Sequence, residues 1–107
     1  MRLEQYSVSL LKKDLLRIIG AHLDLKDYKI FFFGSRVHGG GDDLSDIDVG
    51  IEGTRRVPAE AMVSIREDID NLPTLYKVDV VDFRRVPPAF YTVAKEHIEE
   101  INEYAKT

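Results

Sequence analysis

The sequence predicts an α/β (α+β) domain, a small mixed β-sheet flanked by helices. Three observations carry that prediction: apolar residues at helical spacing in three separate segments, three short apolar or alternating segments between them, and a crowding of glycine into one window. The 107 residues and 12.2 kDa suit a single domain over residues 1–107. Apolar residues make up 44% of the chain, enough for a core, and the 32% that are charged mix both signs rather than forming blocks, which argues against disorder.

Leu11, Leu15, Ile18 and Ile19 repeat at helical spacing, as do Met62, Ile65 and Ile69, and Ala94, Ile98, Ile101 and Ala105. These patterns predict helices near residues 3–22, 58–71 and 88–105. Pro58 and Pro88 suit first turns, where a missing N–H costs nothing, and Pro73 lies just past the second helix. Lys29 to Phe33 is a short, almost continuous apolar run and predicts a strand covered on both faces. Asp46 to Glu52 alternates strictly, so Ile47, Val49 and Ile51 share one face and Asp46 and Asp48 the other. A third strand is predicted over residues 76–83. There Val78 and Val80 share a face and Asp79 opposes them; the rival carboxylate Asp82 falls on the valine side.

Composition excludes several classes of function. Without cysteine there are no disulfides and no thiolate metal sites. No apolar run approaches the roughly 20 residues needed to cross a bilayer, and the first residues lead into an amphipathic pattern without a signal-peptide core, so the expected address is the cytoplasm. A net charge of −4 and a pI near 5.3 argue against an extended nucleic-acid surface but leave room for a local nucleotide site. The stripe on the last helix is expected to cover either the sheet or a second copy of the chain. The pairs Arg55-Arg56 and Arg84-Arg85 read as solvated charges, with an acceptor or partner surface as the alternative.

Six of the seven glycines fall between Gly34 and Gly53, and this window carries the chemistry. Gly34 and Ser35, directly after a buried strand, make a tight turn in which backbone N–H groups and a hydroxyl can face an anion. Asp46 and Asp48, two residues apart on one strand face, have Cα atoms roughly 6.5–7 Å apart, close enough to converge on one hard cation. Asp79 would add a third carboxylate from another strand. Three such groups without counter-charge would raise one another's pKa values, so a divalent ion is the natural way to keep them ionised. Mg²⁺ fits best, because it takes a few carboxylates and completes its shell with water and phosphate oxygens. A P-loop is excluded because Gly40 and Gly41 stand where Lys and Ser/Thr would follow Gly39. An EF-hand is excluded because Leu44 or Gly50 falls where a ligand is required.

Gly34-Ser35, ten residues, then Asp46-Ile47-Asp48 resembles the motif of the nucleotidyltransferase superfamily related to the DNA polymerase β palm. It is most similar to the minimal nucleotidyltransferase (MNT) domains of HEPN/MNT toxin–antitoxin pairs. The resemblance implies a palm-like fold and an ATP- and Mg²⁺-dependent transfer of AMP. Asp46, Asp48 and Asp79 would hold two metal ions, with Asp79 as general base, while Gly34 and Ser35, helped by Arg36, would hold the phosphates. The implied acceptor is a tyrosine hydroxyl of a HEPN-domain partner. One departure is visible: the family often carries Arg-x-Arg-Gly after the serine, and here it is Arg36-Val37-His38-Gly39. Two alternatives stand beside this reading, a non-catalytic antitoxin that occludes its partner and a transferase acting on a small alcohol such as an antibiotic.

Overall fold

The structure, a computed structural model, describes residues 3, 6–34, 37 and 46–102. Helix α1 runs Val8–Gly20, strand β1 Tyr28–Phe33, β2 Ile47–Gly53, helix α2 Ala59–Asp70, β3 Val78–Asp82, helix α3 Pro88–Ala94 and β4 Glu99–Glu100. The four strands form one mixed sheet in the order β3-β2-β1-β4; β1 pairs antiparallel with β2 and β4, and β2 pairs parallel with β3. The predicted mixed sheet with flanking helices is therefore the observed architecture. Among the described residues no helix is long and apolar enough to cross a membrane.

Both faces of the sheet are covered, and they differ in chemistry. Ile30, Phe32, Ile47, Val49, Ile51, Val78 and Val80 pack with Leu11, Leu15 and Ile19 of α1 and Met62, Ile65 and Ile69 of α2 into the main core. On the opposite face Phe31 and Phe33 of β1 join Phe83, with Tyr91 and Ala94 of α3 against them. The continuous apolar run of β1 is thus explained by a strand that serves two cores at once. Gly50 lets the second core close: a Cβ there would lie 2.5 Å from the Phe31 ring and 2.7 Å from that of Phe83.

Two boundaries differ from expectation. Helix α1 starts at Val8 rather than near residue 3, because Ser7 adopts an extended backbone and its hydroxyl accepts from the Leu10 N–H at 3.3 Å, a capping interaction that sets the first turn. The larger correction is at the other end: the predicted helix over residues 88–105 stops at Ala94, and Glu99–Glu100 form β4 instead. The helical spacing of Ala94, Ile98 and Ile101 is overridden by the open edge of β1, whose backbone groups need partners. Ile101 N–H donates to the Ile30 carbonyl at 2.8 Å, and the Asn102 side chain accepts from Ile30 N–H at 2.8 Å and donates to the Tyr28 carbonyl at 2.8 Å. Ile98 joins the aromatic core while Ile101 joins the main one, the two-sided placement of an extended segment. Ala105 lies outside the described residues.

The arginine pair after β3 is exposed, as its sequence reading expects, and its side chains also make defined contacts. Arg84 Nε donates to the Gly53 carbonyl at 2.6 Å, Arg85 Nη2 to the Val57 carbonyl at 2.8 Å, and Arg85 Nε to Asp82 at 3.1 Å, so both side chains tie the end of β3 to the segment after β2. They are parts of the scaffold.

Replacing Asn102 with Ala strips Ile30 N–H and the Tyr28 carbonyl of buried partners. The expected loss is about 2 kcal/mol in urea unfolding, with faster hydrogen exchange at the Ile30 amide.

Candidate active site

The aromatic face of the sheet becomes acidic at the end where β1 stops and β2 begins. In the sheet register Phe33 pairs with Asp48, and Asp48 pairs with Asp79. Paired residues point to the same side of a sheet, so these two carboxylates stand side by side on neighbouring strands. They occupy that face because Ile47, Val49, Val78 and Val80 are drawn to the other one, as the alternation in the sequence requires. Asp46, exposed just before β2, is within hydrogen-bonding reach of Asp79. The structure thus brings together the three carboxylates singled out in the sequence.

Gly34 follows β1 with φ at +88°, a left-handed backbone that favours glycine. A Cβ at this position would run into the Asp48 carboxylate. Glycine is needed here on two counts, the turn and the room it leaves beside the acid. Ser35 and Arg36, the remaining phosphate-binding candidates, lie outside the described residues, as do His38, Asp42 and Asp43.

Electrostatics separate these acids from the others on the sheet. Partial burial, with the neighbouring charges of Asp79 and Asp46, pushes the Asp48 carboxyl up to about 6. Asp79 is raised as well, by burial and its contact with Asp46, while Lys77 at 4.0 Å pulls the other way. Glu52, four residues along the same strand face from Asp48, has the opposite fate. Burial would raise it, but hydrogen bonds from Lys95, at 2.5 Å, and from the Tyr91 hydroxyl outweigh that and hold it below its ordinary value. Asp82 is buried on the main-core side and accepts from Val57 N–H at 2.8 Å, Arg84 N–H at 2.9 Å and Arg85. It has no remaining role as a ligand.

Sequence reasoning missed the basic groups on the rim. Arg66 and Lys77 line a cavity together with Asp48, Asp70 and Asp79. Arg66 reaches the Val80 carbonyl from α2 at 3.0 Å, a contact between distant segments that no local pattern announces.

A divalent cation suits this donor set. Carboxylates from β2 and β3 are neighbours on one face, and their mutual repulsion, which contributes to the raised Asp48, is what a cation relieves. Among the described residues no group of three His, Cys, Asp or Glu side chains forms a ready metal cage.

The sequence matches the polymerase β nucleotidyltransferase family over residues 25–104. Among curated proteins none matches the sequence. Several solved structures share the fold. A toxin–antitoxin complex with AMP-PNP contains a chain that superposes with a TM-score of 0.68 at 18% identity, over 85% of this chain and 72% of that one. A tri-AMPylated Shewanella oneidensis HEPN toxin in complex with its MNT antitoxin gives 0.62 at 16% identity, over 89% and 72%. The MntA–HepT toxin–antitoxin gives 0.58 at 16%, over 87% and 70%.

The raised Asp48 has a thermodynamic consequence. Between about pH 4 and 6 the folded chain holds a proton that the unfolded chain has released, so stability falls as pH rises through that window. Asp48→Asn removes the penalty. In the metal-free protein the variant is expected to be more stable than wild type at pH 8 by on the order of 1 kcal/mol, discounted for the exposed half of the carboxylate, with the difference vanishing below about pH 4 in urea titrations.

Gly34→Ala forces a side chain into a left-handed turn and against Asp48. It is expected to destabilise the fold by about 1–3 kcal/mol in urea unfolding, because the turn and the acid must shift together.

Proposed function

The chain belongs to the polymerase β nucleotidyltransferase family, and from that premise we propose that it transfers AMP from ATP to a tyrosine hydroxyl of a HEPN-type toxin, acting in the cytoplasm as the antitoxin. The observation that carries this reading is the register pairing of Asp48 with Asp79 beside the Gly34 turn. It is supported by the kinship in fold to toxin–antitoxin structures that contain AMP-PNP or an AMPylated HEPN toxin.

In this reading Gly34 and Ser35 hold the β- and γ-phosphates through backbone N–H groups and a hydroxyl, with Arg36 at the same anion. Asp46, Asp48 and Asp79 would hold Mg²⁺, which when bound neutralises phosphate charge and lowers the pKa of the acceptor hydroxyl. Asp79 takes the hydroxyl proton at a carboxylate oxygen. The acceptor oxygen forms its bond to the α-phosphorus on the side opposite the bond to the bridging oxygen, and pyrophosphate leaves from the Gly34 side. Lys77 lies beside Asp79 at 4.0 Å and draws its pKa down. The partner protein would present its own tyrosine to the cavity at Asp79.

The test is incubation with labelled ATP, Mg²⁺ and the HEPN protein encoded by the adjoining gene. Label is expected on a tyrosine of the partner. Asp79→Asn should lower the transfer rate by about 10²–10⁴-fold while partner binding persists. Asp48→Ala should abolish both labelling and neutralisation of the partner. Neutralisation that survives this substitution would mean occlusion rather than transfer, and label on no partner residue with any nucleotide would sink the enzymatic reading.

A further inference from the structure

We propose that the groove between α2 and the segment following β3 seats the stretch of the partner that carries the acceptor tyrosine, and that Arg66 selects there for an acidic side chain within about three residues of that tyrosine. The inference rests on the transferase reading and adds what that reading leaves open, the chemistry by which an acceptor is chosen.

Two cavities meet at Arg66. One, of about 620 Å³, holds Asp48, Asp79 and Lys77 and is where the acceptor hydroxyl arrives. The other, of about 420 Å³, runs between Ala59, Met62 and Val63 on α2 and Val81, Arg85 and Val86 on the far wall. Arg66 and Val81 border both. The Arg66 guanidinium donates to the carbonyl of Val80 at 3.0 Å, and Val80 adjoins Asp79 in the chain. Arg66 thus stands where the reaction cavity passes into the groove. An extended segment advances about 3.3 Å per residue, so a tyrosine placed at Asp79 brings its near neighbours over Arg66.

The charge of the groove says what those neighbours are. The chain as a whole carries −4, yet this groove has two arginines on its border. Among the described residues its one carboxylate is Asp82, which is 4% exposed and taken by two backbone N–H groups and Arg85. Arg85 is spent on that acid and on the Val57 carbonyl. Arg66 has only a neutral partner and forms no ion pair among the described residues. Asp70, one turn further along α2, borders the reaction cavity and not the groove. A guanidinium with donors to spare, in a fixed planar fork, suits a carboxylate. Val63 beside it is 54% exposed and Val86 is half-buried, so the anion site continues into an apolar one. An acidic residue followed by an apolar one fits both.

The test takes the HEPN protein encoded by the adjoining gene as acceptor, with labelled ATP and Mg²⁺. Arg66→Glu reverses the charge at the mouth of the groove, and Val63→Glu adds an acid to its exposed wall. Each is expected to raise KM for the partner by about ten-fold or more with kcat within about three-fold of wild type, the pattern of lost binding alone. Mg²⁺-dependent ATP affinity, by calorimetry without the partner, should stay within about two-fold. Melting curves matching wild type show that the variants fold, and Val63, being exposed, keeps the test open should Arg66→Glu not. The decisive readout is rescue. Replacing the acidic residue nearest the labelled tyrosine with Lys should weaken the wild-type reaction and restore that of Arg66→Glu, which a merely structural arginine would not do. KM unchanged in either folded variant, no acidic residue beside the labelled tyrosine, or no rescue would overturn the groove as the acceptor site and leave the transferase reading standing. A wild-type protein that labels no residue of the partner would overturn both.

Discussion

The parallel pairing of β2 with β3 is the constraint from which the site follows. It places Asp48 opposite Asp79 on one face and sets Ile47 opposite Val78 and Val49 opposite Val80 on the other. A one-residue slip would turn the carboxylates into the main core and the valines onto the opposite face, so the burial of the aliphatic face fixes the acids as firmly as any contact they make themselves. Parallel strands cannot be joined by a hairpin, and here α2 makes the crossover, its Met62, Ile65 and Ile69 covering the aliphatic face. The hydrophobic effect that folds the domain is thus also what gathers its charges.

Much of this was legible because the relevant signals are local and periodic. Strict alternation in β2 fixes which side Asp48 faces, and the same rule separates Asp79 from Asp82. The buried run of β1 marks where the turn at Gly34 must begin. Periodicity alone was silent on the tertiary partners that convert similar-looking acids into different ones. Glu52 alternates in phase with Asp48, and only the arrival of Tyr91 from α3 and of Lys95 just after it marks Glu52 as structural. Arg84 and Arg85 are exposed as the sequence suggests, and only the carbonyls of Gly53 and Val57 beside them show that they also tie two segments together.

The misjudged last helix has the same origin. Ala94, Ile98 and Ile101 satisfy a helical template, yet a segment of that length is ambiguous between a helix and an extended run with its apolar groups on two faces. What decides it is the free edge of β1, a row of backbone groups that no residue number in the tail reveals. Asn102 completes that edge with its side chain, a substitute for strand pairing where β4 ends.

The four carboxylates on β2 and β3 that lie within the strands show how scaffold and site divide the same residue type. Glu52 and Asp82 are fully spent: one lies between a lysine and a tyrosine, the other holds two backbone N–H groups and an arginine. Asp48 and Asp79 face one another instead, and both are pushed upward. A chain selected for stability alone would have relieved that repulsion with the same means it uses four residues along the strand. Gly34 points the same way, since a left-handed glycine kept clear of a side chain serves the space beside Asp48 rather than the packing of any core. Local cost concentrated at one end of the sheet, beside carboxylates whose hydrogen bonds are satisfied, is the physical sign that marks this corner as the candidate site.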